Sequence, residues 1–267
     1  FYHRYEEDIG IAKKLGLQVY RLSISWSRIY PDGTGEVNPK GIEFYRKVLK
    51  CLKDNGIKPA VTLYHWDLPQ KLQDRGGWAN REIVEWFENY AKTLYTELGD
   101  LVDYWITLNE PFCSCIKGYW VGDHAPGFHD YSMALAAVHN ILMSHGAAVK
   151  AYRKTGLKGE IGVTLNLNLA YPDNPANPED VAAAKRVNMQ YNNLFADPVL
   201  KGIYPQEFFD YLEGRGVVLP TILPGDMELI NQELDFLGVN SYYTVYAKAD
   251  PEDWPLGMKQ VTSGRHQ

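Results

Sequence analysis

The sequence is short of cysteine. Cys51, Cys113 and Cys115 are odd in number, and their spacing matches neither a zinc site nor a redox C-x-x-C pair. Three thiols without a disulfide framework favour a reducing compartment, so we expect a cytoplasmic protein. The absence of any N-x-S/T glycosylation acceptor agrees with this. The sequence opens on Phe1, without a methionine or a signal-peptide pattern, and we expect that a preceding segment is missing.

Other absences narrow the class of protein. No run of 18 or more apolar residues is present, so we expect no transmembrane helix. No glycine-rich phosphate loop or dinucleotide fingerprint appears, and no His and carboxylate cluster has metal-ligand spacing. We therefore expect no metal and no cofactor. A net charge of −6 argues against nucleic acid or an anionic membrane as the main partner.

Aromatic residues, in contrast, are abundant. The 267 residues include seven Trp and 19 Tyr, in a chain that is 45% hydrophobic and 22% charged. This balance is typical of a globular protein, and the length allows one large domain. The aromatic side chains can serve core packing, or they can stack on the apolar faces of sugar rings. Composition alone leaves both interpretations open.

The order of predicted elements indicates an α/β fold. Five segments rich in β-branched and aromatic residues predict buried strands, at 19–26, 60–66, 104–110, 161–167 and 236–243. Helical periodicity lies at 3–15, 39–55, 80–98, 131–155 and 178–195. Strands that alternate with helices predict right-handed βα units and a parallel sheet, in a single domain over 1–267. Periodicity is lost over 248–267, where we predict a long loop.

Polar side chains gather at the carboxyl ends of the predicted strands. They are Arg21 early in the first strand, His65 and Trp66, Asn109 and Glu110, Asn166, and finally Asn240 and Tyr242. In an α/β barrel, side chains at these strand ends converge on one site. A carboxyl, an imidazole, several amides and aromatic rings suit an uncharged, polyhydroxylated ligand.

Each of these residues also has a structural interpretation. Glu110 precedes Pro111, and a residue before proline favours the extended conformation of a strand end. Burying a glutamate without a role is, however, costly. The other interpretations are a core histidine for His65, an ion pair or bonds to strand carbonyls for Arg21, loop bracing for Asn109, Asn166 and Asn240, and core packing for Tyr242. We expect the acids Asp67, Asp123 and Asp226 to lie in solvated loops.

Several longer phrases resemble a known family. They are FYHRYEEDI, YRLSISWSRI, TLYHWDLP, GGWANREIVEWF, YWITLNEP, HAPG and FLGVNSYYT, and together they span nearly all of residues 1–245. The sequence resembles glycoside hydrolase family 1, the β-glucosidases and β-galactosidases, and the residues around NEPFCSCIKGYWVGDHAPG are closer to those of the bacterial members. The resemblance implies a (β/α)8 TIM barrel. It also implies small β-glucosides, β-galactosides and oligosaccharides as binding partners, whereas no pattern specifies an oligomeric state.

The resemblance also implies roles for individual residues. Glu110 would be the general acid/base of a retaining β-glycosidase, and Asn109 would bind the sugar 2-hydroxyl. His65, Trp66, Asn166 and Tyr242 would bind substrate. Arg21 and Tyr242 would support the nucleophile.

One part of the resemblance is missing from the sequence. The nucleophile of this family is a Glu in a phrase like TENG, and no such phrase is present. The five predicted strands would be strands two to six of the eight-stranded barrel. We therefore expect the nucleophile outside these residues and expect this chain alone to be inactive. The sequence could be an excerpt of a longer enzyme, a fragment that folds only with a complementary piece or as an oligomer, or a non-catalytic sugar-binding relative.

Overall fold

The computed structural model describes residues 1–261. The chain divides into two compact units, each assembled from separate segments. Unit 1 comprises Phe1–Asn109, Met143–Thr164 and Gln232–Gly238. Unit 2 comprises Glu110–Leu142, Leu165–Asn231 and the chain from Val239 onward. The segments of the two units alternate along the chain. The expectation of a single domain over 1–267 stays a prediction.

The described strands form two sheets. They are β1 (Val19–Ser23), β2 (Lys58–Tyr64), β3 (Tyr104–Asn109), β4 (Glu160–Asn166), β5 (Ala170–Pro172), β6 (Phe236–Asn240), β7 (Val245–Ala249) and β8 (Met258–Val261). The larger sheet has the order β1-β2-β3-β4-β6, and the smaller has the order β5-β7-β8. The larger sheet contains the five strands that the sequence predicts, and β1 to β4 pair in parallel. Strands β2, β3 and β4 are buried along nearly their whole length, as expected for a parallel sheet.

All five predicted strands run past their observed ends, two of them by one residue and three by two or three residues. These three predictions end at Trp26, Trp66 and Tyr243, whereas the strands end at Ser23, Tyr64 and Asn240. Trp26 begins a short helix, and Trp66 has a φ of +80°, which a strand cannot contain. Large apolar side chains therefore continue beyond the hydrogen-bonded ladder, where the composition still resembles a strand.

Strand β3 contains an extra residue near its carboxyl end. Ile106 lies opposite Gly162 and Asn109 lies opposite Thr164, so three steps along β3 match two steps along β4. Such a β-bulge reverses the side to which the following side chain points. Without it Asn109 would share a face with Trp105, which packs against Tyr95 in the helix layer. The bulge therefore directs Asn109 away from that layer.

The helices follow the predicted periodicity, with one interruption. They are α1 (Tyr5–Lys14), α2 (Trp26–Ile29), α3 (Pro39–Asp54), α4 (Gln70–Gln73), α5 (Ile83–Leu98), α6 (Tyr131–Arg153), α7 (Pro178–Asn188), α8 (Leu194–Lys201), α9 (Gln206–Gly214) and α10 (Asp226–Ile230), with a 3-10 turn at Gly77–Ala79 and π-helical segments at Cys113–Val121 and Met189–Asn193. The predicted helix 178–195 is divided after Asn188. The side chains of Asn188 and Asn192 donate to the backbone carbonyls of Ala170 and Asn168, which draws this stretch toward the chain after β4. Across residues 1–261, each helix is too short or too polar to span a lipid bilayer.

The prediction of a long loop over 248–267 is wrong for part of that range. Strand β7 extends to Ala249, and β8 pairs with it antiparallel, with Ala249 opposite Met258. Both strands are short, and the turn between them holds Trp254, Pro255 and Gly257, so no regular periodicity marks them. Residues 262–267 of that prediction lie outside the described residues.

The expectation of a solvated loop is also wrong for Asp226. This residue is only 5% exposed, at the start of α10. Its Oδ2 contacts His139 Nε2 at 3.0 Å and accepts from the backbone N–H of Leu223. The His139 Nδ1 lies 2.9 Å from the Tyr204 hydroxyl. A buried polar network of this kind leaves no hydrophobic pattern in the sequence, so periodicity does not reveal it.

Much of the aromatic content lies in the core of unit 1. Trp26, Trp78 and Trp105 are buried almost completely. Trp26 stacks on Tyr90 with ring centroids 4.8 Å apart, and Trp78 donates its indole N–H to the Tyr64 hydroxyl. Core packing therefore accounts for these rings, whereas Trp66 at the end of β2 is only partly buried.

Candidate active site

In unit 1, a polar cluster is centred on the side chain of Asn109. The guanidinium of Arg21 donates to Asn109 Oδ1 at 2.7 Å and to Thr62 Oγ1 at 3.1 Å. The Asn109 side chain is almost fully buried, and its Nδ2 lies 3.2 Å from His65 Nε2. Because guanidinium can only donate, the Asn109 oxygen must face Arg21 and its NH2 must face His65. The three side chains therefore form a fixed hydrogen-bonded chain across β1, β2 and β3.

These hydrogen bonds also determine the proton position on His65. An amide NH2 can only donate, so His65 Nε2 acts as the acceptor and the ring proton lies on Nδ1. His65 is exposed, which contradicts the interpretation as a core histidine.

The side chain of Trp66 connects the end of β2 to the end of β3. Its indole N–H donates to the Asn109 carbonyl at 2.9 Å, and its ring contacts His65 edge-on with centroids 5.0 Å apart. A φ of +80° is a genuine outlier for a bulky residue. The strained backbone and the indole bond together fix the Trp66 ring beside the cluster.

In unit 2, a second polar cluster surrounds the carboxyl of Glu110, the residue that follows Asn109 in the chain. Glu110 is 5% exposed, and its Oε1 accepts from the Asn240 amide and from the Tyr242 hydroxyl, the latter at 3.4 Å. Its Oε2 lies 3.4 Å from the Cys113 thiol. Hydrogen bonds from separate elements therefore hold both carboxyl oxygens.

The backbone at Glu110 excludes a simple strand end. Its φ is +47°, in the left-handed region, although the residue precedes Pro111 and carries a long side chain. Such a conformation costs about 1–3 kcal/mol and persists only where the surroundings impose it. The extended conformation that we considered from the sequence is therefore absent at Glu110.

Two asparagines that follow one another on the same face differ in their bonding. Asn168 Oδ1 accepts from the backbone N–H of Tyr242 at 3.4 Å, and Asn192 binds the backbone of Asn168 on both sides. Asn166 is 7% exposed, and within residues 1–261 its side chain makes no hydrogen bond to protein. Asn168 thus anchors the loop that carries Tyr242, whereas Asn166 has its amide available for a ligand. Loop bracing therefore describes Asn168 rather than Asn166.

Tyr242 is not a core residue. It is 73% exposed, and its hydroxyl reaches the Glu110 carboxyl.

Sequence reasoning placed Asn240 at a strand end without assigning it a partner, and it missed the contacts of Cys113 and Asn168. The alternation Asn166-Leu167-Asn168 and the three-residue spacing from Glu110 to Cys113 are the signals that could have revealed them.

Burial, followed by the nearby negative charge of Glu110, raises the pKa of the Cys113 thiol to about 12, so this thiol stays neutral.

Within the described part of the chain, no group of three or more His, Cys, Asp or Glu side chains could hold a metal ion. The expectation of no metal and no cofactor stays a prediction. The clusters offer one carboxyl, several amides and an imidazole, which is a set for proton transfer and hydroxyl binding.

A parallel α/β sheet with such groups at its strand ends is the arrangement of α/β-barrel enzymes. The family profile described as "Glycosyl hydrolase family 1" matches residues 1–265. The chain belongs to glycosyl hydrolase family 1. Its five-stranded sheet is part of the (β/α)8 barrel of this family, which confirms the predicted fold class.

Individual relatives agree with this assignment. Beta-glucosidase A of Acetivibrio thermocellus is 45% identical over 250 residues, which cover 94% of this chain and 55% of that protein. Beta-glucosidase A of Thermotoga maritima is 45% identical over 253 residues, which cover 94% and 56%. The chain therefore spans about half the length of these relatives.

Solved structures are also similar over nearly the whole of this chain and over little more than half of their own length. The AHE enzyme from Alicyclobacillus herbarius superimposes with a TM-score of 0.94 at 44% identity, covering 97% of this chain and 58% of that one. The Thermotoga maritima family 1 β-glucosidase in complex with isofagomine lactam gives a TM-score of 0.91 at 42% identity, covering 98% and 58%.

Proposed function

We propose that this chain provides the acid/base half of a retaining β-glycosidase that hydrolyses β-linked glucosides or galactosides at the non-reducing end. The observation that carries the proposal is the carboxyl of Glu110. It is buried, it follows a strand end in a strained conformation, and donors from other elements orient it. The names of the β-glucosidase relatives support the substrate class.

In the proposed reaction, Glu110 acts in two steps. It first gives its proton to the glycosidic oxygen while the C1–O bond breaks and a carboxylate nucleophile bonds to C1. The aglycone leaves with that proton, and Glu110 becomes a carboxylate. Glu110 then takes a proton from water, whose oxygen attacks C1 and releases the nucleophile.

The remaining residues have proposed roles around the sugar. Asn109 binds the 2-hydroxyl, a contact that strengthens in the transition state. His65, Trp66 and Asn166 bind the glycone, and the Asn166 amide is open for this purpose. Arg21 and Tyr242 support the nucleophile.

The nucleophile itself is proposed to lie outside the 267 residues, because the sequence has no TENG-like phrase and spans about half of its relatives. The chain alone is then inactive. We also propose a cytoplasmic location, which the three free cysteines support.

The proposal is tested in the full-length enzyme with Glu110→Ala. For an aryl β-glucoside with a poor leaving group, we expect kcat/KM to fall by about 10²–10⁴-fold, because general acid catalysis is lost. With a good leaving group, added azide should restore turnover and yield the β-glycosyl azide, since azide attacks the glycosyl-enzyme without a base. Glu110→Gln preserves the shape and should be equally impaired.

Glu43→Ala is the matched control, because Glu43 is an exposed glutamate on α3. It should leave kcat/KM unchanged. Full activity in Glu110→Ala would contradict the role of Glu110. Sugar binding by calorimetry without turnover in the wild-type enzyme would instead support the non-catalytic alternative.

A further inference from the structure

The thiol of Cys113 lies against one oxygen of the Glu110 carboxyl because of the local chain path. After Glu110, Pro111 fixes the backbone, and the Cys113 N–H donates to the Glu110 carbonyl at 2.9 Å. This tight turn places the side chain of Cys113 beside that of Glu110, with the thiol 3.4 Å from Oε2. Cys113 is 6% exposed as a residue, so its side chain is buried at this position.

The two carboxyl oxygens have different surroundings. Oε1 accepts from the Asn240 amide and the Tyr242 hydroxyl. Within the described residues, the thiol of Cys113 is the one side-chain donor at Oε2. A carboxyl oxygen accepts best when it is unprotonated, so the two donors at Oε1 favour the proton of the neutral acid on Oε2, where the single donor is a weak thiol. The oxygen beside the thiol is therefore the one that delivers the proton.

A thiol at this place differs from a hydroxyl. It is a weak donor and a weak acceptor, so it fills the space beside Oε2 without binding the proton tightly. The raised pKa of Cys113 keeps it in this neutral form throughout the working pH range. A hydroxyl would donate more strongly to the ionised carboxylate and would also accept from the protonated acid.

Other ionisable groups surround this pair within unit 2. They are Tyr242 and Tyr243 from the loop after β6, Tyr191 from the π segment Met189–Asn193, and Lys117 and Asp123 from the chain after Cys113. Lys117 and Asp123 form an ion pair at 3.0 Å, so their charges largely cancel at the carboxyl. Because this background is the same in every variant below, differences between variants report on position 113.

We propose that Cys113 is a positioning residue, which keeps Oε2 of Glu110 as the proton-bearing oxygen and leaves that proton free for the leaving group. This deepens the proposed function and rests on it. In the complete enzyme, the step that depends on Cys113 is transfer of the Oε2 proton to the glycosidic oxygen as the C1–O bond breaks. The water proton returns to the same oxygen in the second step.

The test compares Cys113→Ser and Cys113→Ala in the full-length enzyme by the pH dependence of kcat/KM. The alkaline limb of this profile reports loss of the proton from the essential acid in the free enzyme. Serine stabilises the carboxylate, so the limb should move to lower pH by about 0.5–1 unit. Alanine removes the donor, so the limb should move to higher pH, by up to about 0.5 unit. A purely structural defect lowers the rate but does not move the limb in opposite directions.

Two controls sharpen the result. Cys115→Ser changes a second buried thiol of the same π segment that has no bond to Glu110, and it should leave the limb in place. With 2,4-dinitrophenyl β-glucoside, whose leaving group needs no protonation, the shifts of the Cys113 variants should disappear. If the serine variant does not fold, the alanine variant with both substrates decides the question.

The outcomes separate this proposal from the proposed function. If Glu110→Ala is inactive while both Cys113 variants keep the wild-type profile, the role of Cys113 is overturned and the function stands. If Glu110→Ala is fully active, the function fails and the role of Cys113 fails with it. Opposite shifts in Ser and Ala, absent from Cys115→Ser, support the proposal.

Discussion

His145 predicts a specific loss of stability in acid. It lies on α6, fully buried, with its Nδ1 2.6 Å from the Thr107 hydroxyl. That hydroxyl can donate to the Gly162 carbonyl at 3.3 Å, so Nδ1 carries the ring proton. Within residues 1–261, Nε2 has no hydrogen-bond partner. Protonation of Nε2 would therefore bury an unpaired charge, and burial lowers the pKa of His145 to about 4.

The direction in which the free energy of unfolding changes with pH follows from proton linkage. The folded pKa of about 4 lies below the ordinary value of 6.5, so the unfolded chain binds the proton first. The contribution of neutral His145 is complete above pH 6.5 and is lost as the pH falls toward 4. At 1.4 kcal/mol per unit, the loss is about 2 kcal/mol by pH 5 and about 3 kcal/mol by pH 4.

The perturbation is His145→Asn, which keeps a donor near the Nδ1 position and removes the titration. Urea unfolding followed by tryptophan fluorescence at pH 7.5 and pH 5 gives the free energy of unfolding for each protein. We expect the wild type to lose about 2 kcal/mol more than the variant between these two pH values.

His3→Asn is the control, because His3 is exposed near the start of the chain. It should follow the wild-type pH dependence. If the wild type and His145→Asn lose the same free energy between pH 7.5 and pH 5, the buried neutral imidazole does not contribute as argued.

Two further changes test the packing of each unit. Gly162→Ala would place a Cβ 2.3 Å from the backbone oxygen of Phe236, which cannot move aside, so thermal denaturation should show a loss of about 1–3 kcal/mol. Asp226→Ala would remove the carboxylate that bonds to the buried His139 Nε2 and to the Leu223 N–H, so urea unfolding should show a loss of about 1–3 kcal/mol.

Each of these changes has a matched control. Gly10→Ala lies in α1 with no atom within 4 Å of the new Cβ, so it should be neutral or stabilising by up to about 1 kcal/mol. Glu43→Ala breaks the exposed Lys47–Glu43 pair and should cost less than about 1 kcal/mol. Equal losses in Gly162→Ala and Gly10→Ala would contradict the close approach at Gly162. A loss below 1 kcal/mol in Asp226→Ala would contradict the buried pair.

The sequence alone predicts the strands, the longer helices and the family to which the chain belongs. Buried parallel strands are continuous runs of β-branched and aromatic residues, and phrases such as YWITLNEP and TLYHWDLP are too long to arise by chance. Residues adjacent in sequence, such as Asn109 and Glu110, could therefore be assigned to a strand end without coordinates. Local propensity suffices there, because each strand carries its own pattern.

The partners of each side chain depend on how the segments come together in the fold. The bulge in β3 turns Asn109 from the helix layer toward Arg21 and His65, and no composition rule marks it. The left-handed backbone at Glu110 also has no sequence signature in a glutamate before proline.

The same holds for the partners of Glu110. Asn240 is 130 residues away in the chain, and its bond to the carboxyl depends on how two separate strands end. Whether Cys113 is a mere apolar filler or the neighbour of Oε2 is likewise a matter of a few ångströms. Hydrophobic pattern is a property of one segment, whereas hydrogen-bond partners are a property of segments that folding brings together. The sequence therefore identified Glu110 as the residue of interest, and the fold determined which side chains contact each of its two carboxyl oxygens.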